Sequence, residues 1–258
     1  MTAAPPARPS ALTVAAAPDE DGIIDAMGGR RAACTAAQLV NRLAPTAVVY
    51  EAVWRKRSLG LLSGRPFPID EELAELSAAT APGPDLLAVD VACSEGLYGR
   101  HLAHAGAEVH LLDHSRPFLR KALRRCREEG VADRVVAVRA LAQHLPYADG
   151  TVDIVVMGGS LNEIGDQRAA LAEMARVLRP GGRLFLLSLV AAGRAGGQGL
   201  GTRLGQLLAR PSGITFPTQA QTVAMLGPTM QLVGERLDGV VLRLSAVKRP
   251  TRTTAAPR

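Results

Sequence analysis

A chain of 258 residues, 47% of them hydrophobic, is long enough to bury one large core, yet no apolar run approaches the roughly 20 residues a membrane-spanning helix needs. Thirty basic against 24 acidic side chains leave a net charge of +6, but the basic set is 27 Arg and 3 Lys. It is dense only at residues 55–57 and along 116–127, where basic residues recur at helical spacing as on a solvated face, so no nucleic-acid partner is expected. Cys34, Cys93 and Cys126 show neither close pairing nor metal-ligand spacing, which fits a reducing, cytoplasmic compartment and no metal site.

Residues 1–22, rich in Ala and Pro and without helix or strand period, read as a disordered tail, as do 249–258. Residues 23–80 read as a helical front segment. Apolar positions at helical spacing over 35–58 are interrupted by Pro45, giving two short helices, and Asp70 is placed to cap a third. This segment precedes the first strand, where a lid could cover a substrate. From 81 to 248 the pattern is one α/β domain. Strands are expected at 86–92, 107–113, 134–140, 151–159 and 183–190. They alternate with helices after the first turn, over 115–130 from a Ser115 cap, and over 166–182 with a Pro-Gly-Gly stop. Short apolar strands alternating with amphipathic helices imply a doubly wound, Rossmann-like parallel sheet covered on both faces. The Gly-rich stretch 191–215 breaks this rhythm. After it come a helix from 216 and two strands meeting at Asp238-Gly239, a hairpin signal.

In such a sheet ligands sit beyond the carboxyl ends of the strands, beside the first one. There the chain reads VDVACSEGLYGRHLA over 89–103. A dinucleotide fingerprint would need glycines where Ala92, Ser94 and Leu97 stand, so a pyrophosphate cradle is disfavoured. A different pattern fits better: Asp90 ends the first strand, small residues alternate through the turn, and Asp113 ends the second strand. A carboxylate there has the acceptors to take both ribose hydroxyls of an adenosine, while the competing role of capping the next helix can fall to Ser115.

The residues Asp90 to Gly96, Asp113-His114-Ser115, Leu145-Pro146-Tyr147 before Asp149-Gly150-Thr151-Val152-Asp153, and Glu173 to Gly182 together resemble the class I S-adenosylmethionine-dependent methyltransferases. Within that family the resemblance is to the small-molecule branch that includes the ubiquinone/menaquinone biosynthesis methyltransferases. It covers about residues 70 to 190 well and the tail moderately. It implies a seven-stranded sheet whose last strand runs antiparallel, and S-adenosylmethionine as cofactor. By position, it implies that Asp90 orders the turn and that the backbone of Ala92, Ser94 and Gly96 lies against the cofactor. It further implies that Asp113 holds the ribose, that Leu141 and Ala142 border the adenine, and that Gly158 lines the methionine portion. Where relatives carry Gly-x-Gly-x-Gly this chain has Ala92 and Ser94, and either would be strained at a position requiring positive φ. Leu141 can pack an adenine but cannot accept its hydrogen bond. Glu95 either attracts a cationic cofactor or points to solvent.

Methyl transfer rests largely on alignment of the reacting atoms and needs no conspicuous catalytic set. His114, following the ribose acid, reads as a cofactor-edge residue. His144 is the histidine to test as a base, Asn162 is a candidate to orient a substrate oxygen, and Glu163 either accepts a proton or lies on a surface loop. Tyr50, Trp54, Arg57 and Arg65 are candidates for the substrate pocket, although Tyr50 and Trp54, four apart, equally suit packing of a helix onto the sheet. No Asn/Asp-Pro-Pro-aromatic run, Pro-Cys motif or aromatic-interleaved basic stretch points to a nucleic-acid base as acceptor. The expectation is an enzyme that methylates O or C of a small, partly apolar metabolite, with homodimer formation left open. The alternative is a methyltransferase-like binding protein without catalysis.

Overall fold

The computed structural model describes residues 11–14, 16–30, 56–192, 206–207 and 213–250. Their strands are β1 (Ile23–Asp25), β2 (Leu87–Val91), β3 (Glu108–Asp113), β4 (Val135–Arg139), β5 (Val152–Gly158), β6 (Leu178–Leu189), β7 (Met230–Asp238) and β8 (Val241–Lys248). Their α-helices are α1 (Lys56–Ser63), α2 (Ile69–Thr80), α3 (Leu97–His104), α4 (Arg116–Glu128), α5 (Gln167–Val177) and α6 (Gln219–Met225). One sheet runs in the order β1-β4-β3-β2-β5-β6-β8-β7, and β8 is antiparallel to both its neighbours. The parallel α/β expectation holds, with eight strands instead of seven.

The extra strand is β1, which pairs in parallel with β4 through Ile23 and Ala137. Residues 11–14 and 16–22, which the sequence reading assigns to a disordered tail, lie against the domain. Leu12 bridges to Tyr147, and Asp19, Asp21 and Asp25 clasp Arg116, Arg120 and Arg139. The basic face of α4 is therefore partly paired within the chain, a long-range match that helical spacing alone does not reveal. The hydrogen bond from Arg116 holds the Asp19 carboxyl below its ordinary 3.8. At Asp25 burial pushes the other way, but the Met27 N–H and the two guanidiniums prevail. A carboxylate with a depressed folded pKa stabilises the fold above its unfolded value, and this contribution is lost as pH falls through the folded value. Hydrogen-exchange protection of the β1 amides is therefore expected to fall at acid pH, below about 4, before that of β2. Simultaneous loss in both strands would show that the clasp does not hold β1.

Alternation along the strands sorts the core into two clusters. Val89, Val91 and Leu112 join Leu171 and Met174 of α5, while Ala88, Val109 and Leu111 join Leu76, Leu102 and Leu119 of α2, α3 and α4. By the same period Asp90 and Asp113 fall on the α3 and α4 face. The motifs after β4 are tied together physically: Arg176 donates to Leu145 O at 3.0 Å and Tyr147 O at 2.8 Å, and Glu173 accepts from Leu145 N at 2.8 Å. Asp153 accepts from Leu87 N at 2.8 Å, joining the start of β5 to β2.

Three local expectations are corrected. The helix expected to run to Gly182 ends at Val177. Arg179 precedes a proline and is driven to extended backbone, and residues 179–182 bulge out of β6 between its pairings at Leu178 and Arg183. Pro68, not Asp70, is the N-cap of α2, with Asp70 inside the first turn. Ser115 sits at the N-cap of α4 but makes no side-chain cap bond. The Asp238-Gly239 hairpin forms as expected.

Candidate functional site

The chain leaves β2 through a tight turn into α3. Ala92, Ser94 and Gly96 all take left-handed conformations, with φ of 54°, 50° and 73°. The alternating small residues thus reproduce a glycine-type turn, although two of them carry a Cβ. Asp90 fixes its exit by accepting from Gly99 N at 2.8 Å, and Ser160, beyond β5, donates to Ala92 O at 3.2 Å. Left-handed Ala and Ser cost about 1 to 3 kcal/mol each. Ala92→Gly and Ser94→Gly are each expected to raise stability by about 1 kcal/mol, after the extra freedom of glycine in the unfolded chain is offset. Denaturant titration checks this, and a loss of stability would show that the turn is not strained.

Asp113, 4% exposed, lies at the tip of β3 beside this turn. One of its oxygens accepts from Ser94 N at 3.0 Å, the other from Ser115 N at 2.8 Å, and His114 Nδ1 lies 3.3 Å from the latter oxygen. A carboxylate offers about four lone-pair sites, so each oxygen keeps capacity for a hydroxyl donor. Next to it His114 Nε2 and Ser115 Oγ are buried without a hydrogen-bond partner. Orphaned polar atoms around an anchored carboxylate fit a polar occupant such as a nucleoside. Glu95 does not point to solvent: it is buried and turned onto α4, paired with Lys121 and with Arg125 at 3.6 Å.

Between the tips of β2 and β5 a cleft of about 250 Å³ of empty space, open solvent included, is lined by Asp90, Ala92, Cys93, Ser94, Leu97, Tyr98 and Gly158. The expected Asp90, Ala92, Ser94 and Gly158 therefore converge, with Gly96 in the same turn. Leu141 and Ala142 follow β4, half-buried and buried respectively, on the side of Asp113 away from this cleft.

The other expectations fare differently. Asn162, 3% exposed, donates to Leu189 O at 2.7 Å and Thr215 O at 2.8 Å. It also accepts from Leu189 N at 2.9 Å and Ser188 Oγ at 3.3 Å. Both donors and its acceptor oxygen are committed to holding residue 215 against β6, so it does not orient a substrate. Asn162→Ala is expected to destabilise by about 3 kcal/mol, read by chemical denaturation, through buried groups left unpaired. A change below about 1 kcal/mol would return Asn162 to the list of site candidates. His144 is exposed in the turn that its N–H closes onto Leu141 O and is not part of the cleft wall. Arg65 is paired with Glu71 at 2.8 Å and Asp238 at 3.0 Å, a clasp between α2 and the last hairpin and not a substrate contact. Glu163 lies in a 3-10 turn past β5, and Arg57 falls in α1. Tyr50 and Trp54 lie outside the described residues.

Sequence reasoning missed Tyr98 and Glu72. Tyr98 stands inside the turn motif, where a large aromatic after small residues is the available signal. Glu72, one of several acids in the first turn of α2, carries no sequence mark of its burial.

Residues 89–186 match the family model described as Methyltransferase domain. Among curated proteins, the demethylmenaquinone methyltransferase of Lactiplantibacillus plantarum is 41% identical over 102 residues, 38% of this chain and 43% of that protein. Methyltransferase GfsG of Streptomyces halstedii is 42% identical over 106 residues, 41% and 38% of the two chains. The matched region thus spans less than half the length of these relatives. Among solved structures, the [4+2]-cyclase SpnF superposes with a TM-score of 0.64 at 17% identity, over 85% of this chain and 98% of its own. Geranyl diphosphate C-methyltransferase from Streptomyces coelicolor A3(2), solved with S-adenosyl-L-homocysteine, gives 0.60 at 15% identity over 69% and 76%. These structural likenesses establish the fold, which carries more than one chemistry. The sequence match is more specific: residues 89–186 are similar to methyltransferase domains, and the relatives matched there are methyltransferases.

Proposed function

We propose that the protein transfers a methyl group from S-adenosylmethionine to O or C of a small, partly apolar metabolite. The observation that carries this reading is the hydrogen bond from Ser94 N to Asp113, which joins the turn after β2 and the acid after β3 in one site. Bound S-adenosylmethionine supplies an electrophilic methyl group on a positively charged sulfur. Asp113 would accept the ribose hydroxyls, with His114 at the nucleoside's edge. The backbone of Ala92, Ser94 and Gly96 would follow the donor, Gly158 would leave room for its methionine portion, and Leu141 and Ala142 would border the base. The chain's main contribution is alignment, which is worth up to about 7 to 11 kcal/mol in favourable cases. Glu163, at the mouth of β5, remains the candidate to take a proton from an acidic acceptor, and Tyr50 and Trp54 remain candidates to wall the acceptor pocket.

A demethylmenaquinone methyltransferase among the relatives and a geranyl diphosphate methyltransferase among the fold neighbours support an acceptor with an apolar body. The test is incubation with methyl-labelled donor and a panel of phenols, quinols and prenyl diphosphates, beside calorimetry with S-adenosylhomocysteine. Nucleoside binding with label transfer to one acceptor class is expected. Absence of S-adenosylhomocysteine binding at millimolar concentration would overturn the reading.

A further inference from the structure

Tyr98 is the largest side chain in the wall of the cleft and is only 2% exposed. Three neighbours fix its ring. Gly158 lies directly beneath it: a Cβ built there would lie 3.0 Å from Cε2 of the ring, 3.2 Å from Cζ and 3.3 Å from Cδ2. Phe185 of β6 meets it edge-on, with ring centroids 5.8 Å apart and planes at 64°. Its hydroxyl donates to the carboxylate of Glu72, which is 1% exposed and belongs to α2, outside the matched residues 89–186.

Position along the sheet says which part of a ligand this phenol meets. Asp113 ends β3 and Gly158 ends β5, with β2 between them. Adjacent strands lie about 4.8 Å apart, so a nucleoside held at Asp113 extends across the tip of β2 toward Tyr98 with its far, amino-acid end. We infer that Glu72 positions Tyr98 as the wall that receives the amino-acid end of the donor, so that recognition of this end depends on the front segment as well as on the methyltransferase domain. This rests on the donor reading above. Glu72 is a positioning residue, acting through the phenol. A buried hydrogen bond to a carboxylate fixes the hydroxyl more firmly than solvent would, and the cleft keeps its shape only while the phenol stays over Gly158.

The test separates the two ends of the ligand. Dissociation constants for S-adenosylhomocysteine and for 5′-methylthioadenosine, which lacks the amino-acid portion, are measured by calorimetry on the whole chain. The proteins are the wild type, Tyr98→Phe, Glu72→Gln and Glu72→Leu. Tyr98→Phe and Glu72→Leu, which release the ring from the bond that holds it in the cleft wall, are expected to weaken S-adenosylhomocysteine about tenfold and to leave methylthioadenosine within about twofold. Glu72→Gln, whose amide oxygen still accepts from the phenol, is expected to restore most of the affinity. Equal weakening of both ligands would indicate a purely structural role and overturn the inference, as would unchanged affinities. Should Glu72→Leu fail to fold, the isosteric Tyr98→Phe and Glu72→Gln decide the matter by the same comparison. Wild-type protein that binds neither ligand would instead overturn the donor reading on which the inference stands.

Discussion

Asp113→Ala is expected to weaken S-adenosylhomocysteine by about 100-fold or more, because a carboxylate that accepts two hydroxyls contributes about 1.5 to 3 kcal/mol for each such bond. The substitution also frees Ser94 N and Ser115 N, which Asp113 now satisfies at 3.0 and 2.8 Å, so a loss of stability accompanies it. A second ligand pair separates the two effects. If Asp113 holds the ribose, the wild type discriminates against 2′- and 3′-deoxy analogues of the nucleoside, and Asp113→Ala binds hydroxylated and deoxy forms alike. Calorimetry at a temperature where the variant is folded reads this directly. Discrimination that survives the substitution would place the ribose elsewhere and leave Asp113 as the anchor of the turn alone.

Gly239→Ala is expected to cost about 3 kcal/mol or more and to loosen α1 from the sheet. Gly239 sits in the tip of the β7–β8 hairpin with φ of 58°, and a Cβ there would lie 2.2 Å from Leu62 O and 2.9 Å from the Ser63 carbonyl carbon. Those are backbone atoms, which cannot swing aside as a side chain would. The neighbouring Val240 N donates to Leu62 O at 3.0 Å, so the hairpin tip and the end of α1 are joined by main chain as well as by Leu59, Leu187 and Val241. Chemical denaturation gives the magnitude, and proteolysis at the α1 end distinguishes local release from global unfolding. A variant as stable as the wild type would show that α1 is not seated against the hairpin.

The parallel strands, their order in the chain and the acids at the tips of β2 and β3 were legible because buried parallel strands write themselves as short apolar runs and because their tips fall at fixed places. The turn was legible through the alternating small residues Ala92, Ser94 and Gly96, all three of which take left-handed backbone. What escaped the sequence depends on contacts between distant residues. Asn162 reads as a polar group at a pocket mouth until Leu189 and Thr215 are seen to use its donors and its oxygen. Arg65 reads as a free cation until Asp238 arrives from the other end of the chain. Glu95, beside the turn after β2, is turned onto a basic helix, and Glu72, one of several acids in the first turn of α2, is buried against a phenol. β1 was too short, and its neighbours too rich in Ala, Pro and Asp, to carry a strand signal of its own.

That short strand bears on where the protein can be cut. The matched unit, residues 89–186, stops short of both β1 and β8, the strands that hydrogen-bond the flanks of β4 and β6. Excised at those limits it would present two naked sheet edges, one of them the apolar run Leu184-Phe185-Leu186, each a template for joining another chain. Such a fragment should self-associate. The recognisable unit is thus smaller than the sheet it belongs to, and strands outside it act as edge guards for those within.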